Sequence, residues 1–151
     1  MKKASRNAAV WVLALALAAA CLFCVRFSML AKSPHPTGLD GYYYALQAKS
    51  FAEEGRLENP DASPGFYLCG IFTIICGNAI VGCKVCAALL SAALAVSVFF
   101  AILALFPRQY PRAMLGFFLC AASPSCAQLA INYINNLTGL VFLFAYVSCF
   151  L

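Results

Sequence analysis

All five acidic residues of the chain, Asp40, Glu53, Glu54, Glu58 and Asp61, fall within 22 consecutive positions, beside His35 and the run Tyr42-Tyr43-Tyr44. Carboxylates gathered in this way suit two chemistries. One is binding of a divalent cation by the clustered acids, and the other is general-base catalysis by Asp40. Each has a plain counterpart. Asp40 stands directly ahead of a helical pattern and is placed to cap it, Glu53, Glu54 and Glu58 read as solvated charges, and His35, between Pro34 and Pro36, reads as a loop residue.

The elements that must position these side chains are set by composition. With 64% apolar and 10% charged residues and a mean hydropathy of +0.88, the chain departs from the soluble average of roughly 45–50% apolar and about 25% charged. An integral membrane protein is predicted. The net charge of +5 sits in short clusters at the ends of apolar runs, without base-stacking aromatics between them, which signals membrane orientation and argues against nucleic-acid binding. The nine cysteines fall inside or beside apolar runs, where they serve as small hydrophobes. Cys21/Cys24 and Cys83/Cys86 have the C-x-x-C spacing but lack the polar loop that a zinc site needs.

After the basic start Lys2-Lys3-Ala4-Ser5-Arg6, residues 8–30 form a first span with Arg26 as its only charge, so the N-terminus is expected to be cytoplasmic. Ala18-Ala19-Ala20-Cys21 resembles a lipoprotein signal, but Leu22 to Val25 prolong the apolar run past that cysteine. Residues 31–64 make an exoplasmic loop bounded by Pro and Gly, with a helix over 42–54 whose Tyr44, Ala48 and Phe51 share a face and which Gly55 ends. Lys49 and Glu53 are spaced to pair. Residues 66–76 are too few to cross, and reading them as a juxtamembrane or re-entrant helix leaves Arg108 and Arg112 on the cytoplasmic side, as the charge rule prefers. Spans follow at 85–106 and at 113–131, the latter broken by Ser123-Pro124-Ser125, and a partial span at 137–151 reaches Leu151 without a polar or basic cap. The expected fold is all-α, a single multi-pass membrane domain with two juxtamembrane helices in its first exoplasmic loop, cut short relative to a longer bundle.

The ordered set of these features resembles the N-terminal part of the C-type membrane glycosyltransferases, the group of the protein O-mannosyltransferases and lipid A aminoarabinose transferases. It consists of Asp40-Gly41-Tyr42-Tyr43-Tyr44, the Gly55-Arg56-Leu57 turn, Pro64-Gly65-Phe66-Tyr67, Lys84 opening an Ala/Leu/Ser-rich span, an arginine-flanked turn and Ala122-Ser123-Pro124. The resemblance implies that Asp40 is the catalytic carboxylate, that Tyr43 and Lys84 lie at the substrate, and that the donor is a polyprenyl-phosphate sugar met at the cytoplasmic (inner) membrane. It also implies Asp61 as a second acid, sharing a divalent cation with Asp40. Three positions depart from the group's pattern. Ala62 and Ser63 stand where some members have lysine and proline, and Gly41 where a second acid follows the first.

Lys84 and Arg26 also read as snorkelling anchors instead of phosphate ligands. Asn136-Leu137-Thr138 matches a glycosylation acceptor but abuts a span. The alternative to an enzyme is a non-catalytic multi-pass protein, a gene remnant or an accessory subunit packing on a membrane partner through small-residue faces such as Ala87, Ser91 and Ala95.

Overall fold

The computed structural model describes residues 2–59 and 63–151, with side chains from residue 8 onward. Asp61 lies outside the described residues, and with it the expected second carboxylate of a cation site. The described residues form seven α-helices and no strand: α1 Lys2–Leu30, α2 Gly41–Glu54, α3 Pro64–Cys76, α4 Ala79–Leu105, α5 Tyr110–Ala122, α6 Pro124–Asn132 and α7 Ile134–Phe150. Ala8–Leu30 and Ala79–Leu105 are long and apolar enough to cross a membrane. The pair α5 and α6 makes a third such segment if it is taken as one span bent by 54°.

Local chemistry explains where the helices stop. Gly55 and Gly77 take left-handed φ values of 72° and 66° and end α2 and α3, their N–H groups donating to Phe51 O and Thr73 O. Lys49 and Glu53 face each other at 3.8 Å on the exposed side of α2. The α4 helix begins six residues before the uninterrupted apolar run at Val85, because the Asn78 side chain accepts from Val81 N at 3.0 Å and caps it there. Pro64 and Pro124 open α3 and α6, where a missing N–H costs nothing.

The α4 helix is the hub, touching each of the other six. Small side chains permit this: Ala87, Ala88, Ser91 and Ala95 are buried along it and let the neighbouring backbones approach closely. Gly82 meets the Thr73 backbone so closely that an added Cβ would come within 2.6 Å of Thr73 N, which fixes α3 and α4 as a tight hairpin.

Two contacts give the direction of α1. Trp11 stacks on Tyr110 at 6.1 Å, just after the end of α4, and Lys84 Nζ donates to Ser33 O just after the end of α1. The two long helices are therefore antiparallel. The start of α1 and the Arg108/Arg112 turn share one end, and α2, α3 and all the described acidic residues lie at the other. At the basic end, Arg108 adopts φ 67° in the tight turn to α5, and Arg112 lies over the Phe106 ring at 5.8 Å.

Candidate functional site at the acidic end

The Asp40 site is a loop, residues 31–40, pinned to three helices. Its first anchor is Lys84, 5% exposed, whose ammonium reaches up from the second turn of α4 to the Ser33 carbonyl. Ser33 Oγ in turn accepts from His35 N at 3.1 Å, and His35 Nδ1 meets the Tyr42 hydroxyl at 3.2 Å. The second anchor is the end of α6. Asn132 Oδ1 accepts from Leu39 N at 3.2 Å, while Asn132 Nδ2 donates to Gln128 Oε1 at 2.7 Å and fixes the amide's orientation. Gly38, at φ 83°, lies so flat on Ile131 O that a Cβ would come within 2.1 Å of it. Gly41 packs on Pro36 and closes the loop.

This frame holds Asp40 exposed at the N-terminus of α2. Its carbonyl accepts the first helical bond, from Tyr44 N at 2.9 Å. Its side chain makes no capping bond and no salt bridge among the described residues. The side-chain cap that the sequence offered for Asp40 is thus absent, and an unpaired carboxylate stands beside the positive end of α2. Tyr43, three residues on, is 38% exposed and packs edge-on against Phe66 at 5.4 Å. Tyr44 is buried against the same ring at 5.0 Å, and its hydroxyl accepts from Asn135 N in the first turn of α7 at 3.2 Å. Asp40 and Tyr43 therefore stand together on one helix start, whereas the Lys84 ammonium is turned beneath them toward the loop backbone.

Among the described residues no group of three His, Cys, Asp or Glu side chains gathers to hold a metal ion, so no chemical step is assigned to a cation. Cys69 of α3 faces Cys83 and Cys86 of α4. Hydrogen bonding with those two thiols, then burial, pushes the Cys69 thiol well above its ordinary range, and the protonated thiol packs there as a small hydrophobe. On the outer side of α2 a groove of about 740 Å³ opens, lined by Pro36, Tyr42, Leu46, Lys49, Ile74 and Asn78 among others.

Sequence reasoning singled out neither Asn132 and Asn135 nor Gly38, yet these hold the loop. The signal available was the polar stretch Asn132-Tyr133-Ile134-Asn135-Asn136 between two apolar runs, whose partners 93 and 91 positions earlier only the fold reveals. The fold and site define an all-α chain with two or three membrane-length helices and a free carboxylate on a pinned loop. No protein-family model matches this chain, and no curated protein or solved structure matches it either.

Proposed function

We propose that the chain is the N-terminal membrane portion of a glycosyltransferase that uses a polyprenyl-phosphate sugar, inserted as a multi-pass bundle in the cytoplasmic membrane. In this reading the basic end lies in the cytoplasm, and Asp40 with its loop and the two short helices lies on the exoplasmic side. The observation that carries it is the unpaired Asp40 carboxylate on a loop tied down at Ser33 and Leu39. A general base must be both free and fixed.

The step that follows is a direct displacement. Asp40 takes the proton of an acceptor hydroxyl as that oxygen bonds to the anomeric carbon, and the bond from that carbon to the phosphate oxygen breaks, releasing polyprenyl phosphate. Tyr43, exposed beside Asp40, offers an aromatic face and a hydroxyl to the sugar. Lys84 supplies positive charge under the loop, and a phosphate that reached it would have to displace the Ser33 carbonyl.

Transfer from a polyprenyl-phosphate sugar by membranes containing the chain tests this. With Asp40→Asn, transfer should fall by roughly 10²–10⁴-fold while insertion persists, the range expected for loss of a general base. Transfer at the wild-type rate in that variant would sink the assignment.

A second reading has its own observation. A groove of about 660 Å³ between α4 and α7 is lined by small and apolar residues, among them Ala93, Ser97, Phe100, Val141, Ala145 and Ser148. Small residues along an open seam suit a further membrane helix, as a non-catalytic accessory subunit would require. Membranes that bind no donor and transfer nothing, with the chain recovered in a stable complex, would favour that reading.

A further inference from the structure

The bend between α5 and α6 is a built feature containing two thiols. Cys120, in the last turn of α5, and Cys126, in the first turn of α6, stand on either side of Ser123-Pro124 with their sulfurs 3.7 Å apart. The break is organised around them. Ser123 Oγ accepts from Cys126 N at 3.4 Å, and the Arg26 guanidinium of α1 donates to Ala121 O at 2.8 Å, satisfying a carbonyl that the break leaves without a helical partner. Both thiols are half-buried, neither sealed like Cys69 nor free on an outer face like Cys149.

We propose that Cys120 and Cys126 are a dithiol pair that closes to a disulfide across the bend. The co-reactant is a disulfide-bearing compound or a thiol oxidoreductase. One cysteine thiolate attacks a sulfur of that disulfide, forming a mixed disulfide and releasing one thiol. The second cysteine then attacks the first, the Cys120–Cys126 bond forms, and a second thiol leaves with the co-reactant. Two electrons and two protons pass from the pair to the co-reactant. Rotation of the two side chains brings sulfurs already in contact to the bonding distance of about 2.05 Å. The link fixes α6 relative to α5, and α6 carries Asn132, the residue that holds Leu39 beside Asp40. This proposal does not depend on the glycosyltransferase reading.

Peptide mapping of the full chain in membranes tests it. Membranes are treated with diamide or with copper-phenanthroline, denatured, and their free thiols blocked with N-ethylmaleimide before tryptic digestion. No Lys or Arg follows Arg112, so one fragment holds Cys120, Cys126 and Cys149. The expected major form after oxidation takes up one maleimide, on Cys149, and is lighter by two hydrogens. Dithiothreitol restores three maleimides. In Cys120→Ser and in Cys126→Ser the fragment should take up two under both conditions. A wild-type fragment that keeps three maleimides after oxidation, or a bond mapped to Cys149 instead, would overturn the proposal.

Discussion

Leu39 N donates to Asn132 Oδ1 at 3.2 Å, joining the loop before α2 to the end of α6 across 93 positions of sequence. The contact exists because Gly38 has no side chain: its φ of 83° and the Ile131 carbonyl against it leave no space for a Cβ. Gly38→Ala therefore meets both a disfavoured backbone and a clash with main chain. The expected loss is about 2–3 kcal/mol, read as a lower melting temperature in mild detergent. Asn132→Ala, which removes only the acceptor, should lose about 1 kcal/mol. Equal melting of Gly38→Ala and wild type would show that the loop does not rest on α6.

Gly82 and Gly77 separate space from backbone conformation. At Gly82 an added Cβ meets the Thr73 main chain at 2.6 Å, while at Gly77 nothing lies within 4 Å and only the φ of 66° opposes a side chain. Gly77→Ala should cost about 1 kcal/mol. Gly82→Ala has to push α3 off α4 and should cost about 1–3 kcal/mol in detergent melts, the range for overpacking. The reverse order would mean that the hairpin is loose at its tip.

The sequence made some of this plain and hid the rest, for physical reasons. Helical content and membrane-length helices follow from composition and from the length of the apolar runs, which are local properties. Gly55 as the end of α2 and the break at Pro124 were equally readable, because glycine in the left-handed region and a missing N–H act within one turn. The resemblance in sequence makes Lys84 the residue that opens a span. It is instead internal to α4, its ammonium satisfied by a loop carbonyl 51 positions away. Arg26 is a related case: one guanidinium nitrogen donates to Ala121 O, while its buried Nε has no hydrogen-bond partner among the described residues. For Asp40 the sequence leaves a helix cap and a catalytic carboxylate both open; the structure shows no capping bond, a side-chain direction that no local pattern encodes.

The charge segregation between the two ends predicts how the chain sits in a membrane. Glu58 lies at the acidic end and Gln109 in the turn between Arg108 and Arg112. In a background with the native cysteines replaced, Glu58→Cys should react with a membrane-impermeant maleimide added to intact cells. Gln109→Cys should react only after permeabilisation, because Lys and Arg collect on the cytoplasmic side. The opposite labelling pattern would reverse the proposed orientation and with it the proposed exoplasmic placement of Asp40.

Lys84 offers a test between structural and ligand roles. Its side chain is 5% exposed and its ammonium is spent on Ser33 O, so its removal leaves a loop carbonyl without its donor. Lys84→Met keeps much of the apolar stem and deletes only the charge and the bond. It should lower stability by about 1–3 kcal/mol, seen as earlier melting whether or not anionic lipid is added to the detergent. A lysine that served a lipid phosphate would behave differently. Its loss would abolish any stabilisation by added anionic lipid and leave the lipid-free melting temperature unchanged. Because the loop that Lys84 holds also carries Asp40, Lys84→Met should in addition raise the reactivity of a cysteine placed at Leu39 toward aqueous maleimide, as the loop lifts away from Asn132. Unchanged reactivity at that position, together with unchanged lipid-free melting, would remove Lys84 from the frame of the site.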